Sequence, residues 1–147
     1  MGQGCFGVVT RQTLQGHQHP VAVKCVGSGN RKAVNSEALA MAWLSSHPSF
    51  PVFHGIVRNG PEFSLVMEFV GNPATGDASL TLGAALHGPN RLAQLGPTDW
   101  CFVALRLVDG MQYMHDKAGL LHNDLKLDNI LMACAGASGR AASSTWA

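Results

Sequence analysis

Short β-branched stretches dominate the first half of the chain. Residues 8–10 and 20–25 are β-branched runs separated by a polar, glycine-containing stretch, which predicts two antiparallel strands joined by a loop. Two further apolar runs, residues 52–57 and 63–70, flank a turn that contains Gly60 and predict two more strands. The pattern therefore predicts an antiparallel sheet in the first seventy residues.

Helical composition interrupts and follows these strands. Residues 36–44 are rich in Ala, Leu and Met and precede His47 and Pro48, so they predict a helix that ends before the proline. Residues 71–97 contain repeated Pro and Gly and predict a connector, with room for one short helix over residues 79–86.

A long amphipathic helix is predicted to open at Thr98 and to end at Gly119. Its apolar positions recur at steps of three and four residues and predict one buried face. The predicted face consists of Trp100, Val103, Ala104, Leu107, Val108, Met111 and Met114. After Met132 the composition changes to mostly Ala, Ser and Gly, without strand or helix periodicity, which is typical of a linker.

Composition narrows the class of protein. The 147 residues are 46% hydrophobic and 13% charged, which excludes a disordered chain. The formal charge of +1 gives no strong electrostatic field that would attract nucleic acid. No apolar run approaches the ~20 residues of a membrane helix, and no signal peptide is recognisable at the start. The cysteines Cys5, Cys25, Cys101 and Cys134 lack metal-binding spacing, so we expect reduced thiols in a cytoplasmic protein.

A glycine-rich motif, Gly2-x-Gly4-x-x-Gly7, opens the chain. Glycine lets backbone N–H groups approach phosphate oxygens closely, and such triplets also mark Rossmann dinucleotide sites. A Rossmann fingerprint needs a preceding strand and a following helix, yet one residue precedes Gly2 and a β-branched run follows Gly7. The context favours a phosphate-binding hairpin.

Two further motifs follow in order: Val21-Ala22-Val23-Lys24, and later a run from His122 to Asn129 that reads H-N-D-L-K-L-D-N. The three motifs together resemble those of eukaryotic protein kinases. This resemblance covers the chain up to about Met132 and implies an α+β fold. It implies a kinase N-lobe over residues 1–70, a partial helical C-lobe over residues 71–132 and a low-complexity, disordered tail over residues 133–147.

The resemblance implies that ATP and Mg²⁺ are the cofactors. Gly2, Gly4 and Gly7 would cover the phosphates, with Lys24 on the α and β phosphates. Glu37 is the only acid between Lys24 and Glu62, so it is the candidate ion-pair partner of Lys24.

Six other positions resemble the family's adenine site. They are Val9, Ala22 and Leu131 as the apolar sandwich, Met67 as the gatekeeper, and the backbone of Glu68 and Val70 as the hinge.

In the catalytic loop, Asp124 resembles the base that accepts the proton of a substrate hydroxyl, which requires a carboxylate at hydrogen-bond distance. Lys126 would neutralise charge on the γ-phosphate, and Asn129 would ligate Mg²⁺ through its amide oxygen. The D-L-K-x-x-N form favours Ser/Thr acceptors on a protein substrate. Nucleic acid is not an expected partner, and no membrane segment is expected.

The chain departs from the family's pattern in two places. Asn123 stands where kinases usually carry Arg, so we expect no control by phosphate on an activation loop. No Asp-Phe-Gly motif follows Asn129, and we therefore expect a truncated kinase domain that is inactive in isolation. The alternative is a non-catalytic, pseudokinase-like interaction or regulatory fragment.

Overall fold

The computed structural model describes residues 8–16, 19–26, 31–71, 77–87, 95–132 and 143–144. Its first half is a four-stranded antiparallel sheet of β1 (Val8–Gln12), β2 (Val21–Val26), β3 (Phe53–Asn59) and β4 (Glu62–Glu68). The strand order in the sheet is β1-β2-β4-β3. One helix, α1 (Arg31–Leu44), packs on this sheet, which confirms the predicted sheet-plus-helix architecture.

Helix α1 begins five residues earlier than its composition predicts. The helix buries one face at helical spacing, formed by Val34, Ala38, Met41 and Leu44. Because the helix extends back to Arg31, Val34 belongs to this buried face. Val34, Ala38 and Met41 pack on the sheet.

The second half begins with a short strand, β5 (Leu80–Thr81), and a short helix, α2 (Leu82–His87). The amide of Ala84 donates to Thr81 Oγ1 over 3.1 Å, so Thr81 caps α2 and shifts its start beyond the predicted residue 79.

The predicted long helix is α3 (Pro97–Asp116), and it is confirmed. Pro97 occupies its first turn, where a missing N–H costs nothing, and Asp99 Oδ2 accepts the Gly96 amide at 2.8 Å. Gly119, at φ 64°, follows its end as predicted, and the Leu120 amide donates to the Met114 carbonyl at 3.0 Å.

The buried face of α3 differs from the predicted one. Trp100, Val103 and Leu107 pack against Leu82, Ala85, Ile130 and Met132, and Met111 and Met114 pack against Leu44 and Phe50. Ala104 and Val108 were expected on this face but are exposed, because the line of contact runs through Gly110 instead. Phe102, Leu105 and Val108 form an exposed apolar stripe, and Leu105 is 67% exposed.

Beyond α3, a 3₁₀ turn (Leu127–Asn129) leads into β6 (Ile130–Met132). Strand β6 pairs with β5 on one side and with β7 (Ser143–Ser144) on the other. Strand β7 is the part of the predicted tail that is described. No helix within the described ranges is long and apolar enough to cross a lipid bilayer. Cys25 and Cys101 are free and exposed.

Candidate active site

Lys24 is a buried lysine at the centre of the sheet. It lies on β2, opposite Val9 on β1 and Leu65 on β4, and is only 2% exposed. Its Nζ lies 2.7 Å from Glu37 Oε1. A buried ammonium requires a charged or polar partner, and Glu37 supplies one while keeping 28% of its own side chain exposed.

Helix α1 holds Glu37 in this position through the residues around it. Ala38 and Met41 are buried against Leu65 and Met67 of β4, which sets the rotation of the helix. Glu37 lies one turn before Met41, so its carboxylate reaches the same face and meets Lys24. The ion pair therefore depends on the packing of α1 on the sheet.

The sheet register places several predicted adenine-site residues on the Lys24 face. Val9 lies opposite Lys24, and Ala22 lies two residues before it and opposite Met67. Met67 is buried, Ala22 is half-buried and Val9 is 44% exposed. Val9 thus leaves apolar surface uncovered beside a buried cation. Gly2, Gly4 and Gly7 lie outside the described residues.

Backbone bonds organise the predicted hinge. The Glu68 amide donates to the Val52 carbonyl at 2.8 Å, and the Val52 amide donates to Glu68 Oε2 at 3.0 Å. Further on, the Val70 carbonyl accepts the Ser79 amide at 3.1 Å. Glu68 is therefore held to Val52 by two hydrogen bonds, and Ser79 lies alongside Val70.

A second cluster of polar groups follows α3. Asp124 Oδ2 accepts hydrogen bonds from Lys126 Nζ at 2.8 Å and from Asn129 Nδ2 at 3.1 Å. Asn129 Nδ2 also donates to the Asp124 carbonyl at 2.8 Å, and Asn129 is 2% exposed. The 3₁₀ turn brings Asn129 back to Asp124, so the three predicted catalytic-loop residues form one constellation.

Asn123 shapes the turn before this constellation. The Asp124 amide donates to the His122 carbonyl, and Asn123 at the centre of that turn has φ 51°. Among residues other than glycine, asparagine is one of the few that adopt left-handed backbone readily. The residue that departs from the family pattern is thus well suited to its backbone conformation.

Two pKa values are displaced here. Hydrogen bonding from Lys126 holds the pKa of Asp124 below its ordinary value, with a smaller contribution from Asn129. Asp124 therefore stays ionised throughout the neutral range. Burial lowers the pKa of His122 below 6.5, so that imidazole is neutral at pH 7.

Asn129 is suited to contribute one ligand to a hard cation. Its Nδ2 makes both bonds to Asp124, which leaves Oδ1 as the amide atom suited to ligation. Within the described ranges no three His, Cys, Asp or Glu side chains gather into a metal cluster. The described residues therefore fit part of a Mg²⁺ site, to which a bound nucleotide would add phosphate oxygens.

Leu131 lies on β6, opposite Thr81, and is half-buried. Its neighbours Ile130 and Met132 point into the core of the second half, so Leu131 faces the other side of the strand. The sequence did not single out the contacts between the loop after α1 and α3. Ser46 Oγ lies 2.7 Å from Tyr113 Oη, and Ser49 Oγ donates to the Arg106 carbonyl at 3.1 Å. These residues occur at no recognisable motif spacing.

Comparison with known proteins identifies the family. The profile described as the protein kinase domain matches residues 1–138. The receptor-like kinase LIP2 of Arabidopsis thaliana is 31% identical, a match covering 90% of this chain and 23% of that protein.

A putative ribosomal protein S6 kinase alpha-2 of Caenorhabditis elegans is 29% identical, over 95% of this chain and 17% of that protein. CBL-interacting serine/threonine-protein kinase 1 of Arabidopsis thaliana is 27% identical, over 92% of this chain and 29% of that protein. The chain thus spans less than a third of each of these relatives. We conclude that it belongs to the protein kinase domain family and is, by family, a transferase.

Proposed function

We propose that this chain carries the nucleotide-binding and proton-accepting half of a kinase that transfers the γ-phosphoryl group of ATP to a protein Ser or Thr hydroxyl. The observation that carries the proposal is the buried Lys24–Glu37 pair at 2.7 Å. Burying the Lys24 charge at 2% exposure costs the fold free energy, and a role in binding nucleotide phosphates accounts for the presence of the charge.

In this proposal the first half of the chain binds ATP. Lys24 contacts the α and β phosphates beneath the glycine loop, and Glu37 keeps the ammonium extended towards them. Adenine lies between Val9, Ala22 and Leu131.

Met67 limits the depth of the adenine pocket in the proposal. The backbone of Glu68 and Val70 then forms the hinge that hydrogen-bonds adenine, as the resemblance to the family implies.

The catalytic loop performs the transfer in the proposal. Asp124 accepts the proton of the substrate hydroxyl while that oxygen bonds to the γ-phosphorus and the bond from phosphorus to the β-γ bridging oxygen breaks. Lys126 balances charge on the equatorial oxygens. Bound Mg²⁺ neutralises phosphate charge, and Asn129 Oδ1 is the atom of this chain proposed to hold it.

Sequence features support Ser or Thr as the acceptor residue and support activity without an activation-loop phosphate. A lysine two residues after the catalytic aspartate, as Lys126 follows Asp124, is typical of Ser/Thr kinases. Two of the relatives above are named as serine/threonine or ribosomal protein S6 kinases. Asn123 offers no guanidinium to bind an activation-loop phosphate, so the proposed activity is independent of such a phosphate.

The test is phosphoryl transfer to a generic Ser/Thr substrate by the longest natural chain that contains these residues. Asp124→Asn and Lys24→Met should each abolish transfer, whereas the matched surface variants Asp116→Asn and Lys32→Met should not. Equal activity in the Asp124 and Lys24 variants would refute the role assignments. The 147 residues alone contain no Asp-Phe-Gly, and we expect them to bind nucleotide weakly with little turnover.

The exposed stripe on α3 favours a second candidate, a non-catalytic interaction module. Leu105 and Val108 are 67% and 63% exposed, which is unusual for apolar residues on one helix face. A module of this kind would keep its partner when Asp124 is changed to Asn, and it would show no transfer in any natural chain. Transfer abolished by Asp124→Asn rules it out as the sole function.

A further inference from the structure

An arginine on the first strand contacts an aromatic ring of the predicted hinge. Arg11 Cζ lies 5.6 Å from the centroid of the Phe69 ring, which is the geometry of a cation–π contact. Arg11 belongs to β1, and Phe69 directly follows the last residue of β4. We call Arg11 and Phe69 the clasp.

The sheet register places the clasp at one end of the proposed nucleotide site. Val9 and Arg11 point to the same face of β1, because side chains alternate along a strand. Val9 lies opposite Lys24. Arg11 lies opposite Ala22, which in turn lies opposite the predicted gatekeeper Met67. The clasp is therefore on the adenine side of the site, away from the lysine proposed to contact phosphates.

The Phe69 ring is packed against the backbone that follows it. A Cβ added at Gly71 would lie 2.6 Å from Phe69 Cε1 and 2.8 Å from Phe69 Cζ, and it would also overlap the Asp77 carbonyl oxygen. Gly71 forms an antiparallel bridge with Ala78, so a second stretch of backbone lies beside it. One edge of the ring is thus tightly packed, and the ring offers Arg11 a fixed surface.

Strand β1 has few other attachments to the rest of the fold. Among the described strands it pairs only with β2, since it lies at one end of the sheet order. Val9 is 44% exposed, and Arg11 is also exposed. Within the described ranges Arg11 takes part in no ion pair, so the Phe69 ring is the contact made by its charged group. The clasp therefore joins an edge strand directly to the hinge.

We propose that the clasp controls how fast a nucleotide enters and leaves the adenine pocket. This proposal rests on the proposed ATP site, in which Val9 covers adenine. Val9 and Arg11 are two residues apart on one strand, so β1 cannot move away from the pocket while the clasp is closed. An exposed cation–π contact is strong enough to slow such a movement roughly two- to fivefold.

The clasp predicts a kinetic signature that a direct contact with the nucleotide does not. Both partners belong to the protein, and neither side chain is among those proposed to touch the base. The clasp should therefore be equally strong with and without nucleotide, and a contact of this kind shifts no binding equilibrium. Weakening it should raise the association and dissociation rate constants by the same factor and leave Kd unchanged.

The experiment is stopped-flow binding of the fluorescent nucleotide mant-ADP, with Mg²⁺, to the longest natural chain that contains these residues. In Arg11→Met, which removes the charge, both rate constants should rise roughly two- to fivefold, with Kd within about 1.5-fold. Arg11→Lys keeps a cation and should restore part of the slowing. The matched control is Arg58→Met, because Arg58 lies over the Phe63 ring at 5.8 Å on the opposite edge strand.

A double-mutant cycle tests whether the two side chains act as a pair. If they do, Arg11→Met combined with Phe69→Leu should exchange nucleotide no more than about 1.5-fold faster than the faster single variant, whereas independent effects multiply. Unchanged rate constants in Arg11→Met, multiplied increases, or a faster dissociation matched by a weaker Kd would each overturn the clasp. Should Phe69→Leu prevent folding, the series Arg11→Met and Arg11→Lys at an exposed position still decides between these outcomes.

Failure of the proposed ATP site has a different signature. If mant-ADP does not bind, or if excess ATP does not displace it, the site itself fails and the clasp is overturned with it. Binding that ATP displaces, with identical rate constants in Arg11→Met and the unmodified chain, overturns the clasp alone and leaves the proposed function intact.

Discussion

Replacing Glu37 by Gln should destabilise the fold more than replacing Lys24 by Met. The side chains of Lys24 and Glu37 are 3% and 28% exposed, so the two halves of the ion pair differ in access to water. Without the carboxylate, the Lys24 ammonium keeps its burial cost, whereas without the ammonium, Glu37 can be hydrated.

The magnitude follows from that difference. Removing one partner of a fully buried pair costs ~3–5 kcal/mol, and the partial exposure of Glu37 reduces the expected cost of Glu37→Gln to about 2–3 kcal/mol. Lys24→Met removes a buried charge and fills its space with an adaptable apolar chain, so we expect a cost below about 1 kcal/mol. For a chain of this length the Glu37→Gln loss corresponds to roughly 4–12 °C in Tm.

Urea unfolding followed by circular dichroism measures both variants, provided the slope of the transition stays constant. Glu62→Gln and Lys32→Met make the same chemical changes at exposed positions and should alter stability by less than about 0.5 kcal/mol. A larger loss for Lys24→Met than for Glu37→Gln would show that the reasoning from burial is wrong.

Three other outcomes are expected. The pKa of His122 is lower in the folded chain than 6.5, so the unfolded chain binds the additional proton and the free energy of unfolding should fall as pH drops below 6.5. In thermal melts at several pH values, His122→Gln should flatten that decline and His115→Gln should not. Asn123→Gly should be tolerated, whereas Asn123→Arg should cost ~1 kcal/mol at φ 51° by urea unfolding, and equal stabilities would contradict this. Gly110→Ala gains ~1 kcal/mol of helix propensity but meets Ser49 Cβ at 2.9 Å, so calorimetry should show a net loss; a higher Tm would mean that the loop yields easily.

Features that depend on neighbouring residues were predictable from the sequence. The strands follow from β-branched runs, and α3 follows from its periodicity and from Gly119. The Asp124 constellation forms within six consecutive residues, since Asp124 and Asn129 are five apart in sequence, so its motif already contains its geometry. Glu37 was identified by elimination, because few acids are present in that part of the chain.

Features that depend on distant contacts were not predictable. Helix α1 starts early because Val34 packs on the sheet. Ala104 and Val108 are exposed because Gly110 is the α3 residue that approaches Ser49 closely. The Ser46–Tyr113 bond joins positions 67 apart in sequence, and neither residue belongs to a motif. Such pairs are determined by how the two halves pack, which periodicity does not describe.

Tyr113 also makes the docking of the loop on α3 directly observable. It is the only tyrosine among the 147 residues, and its ring lies over His47. Isotope labelling of tyrosine alone therefore yields one set of aromatic NMR resonances, shifted by the ring current of the stacked imidazole. Those resonances report the occupancy of that contact in the unmodified protein, during nucleotide titration or heating, without any substitution or attached dye.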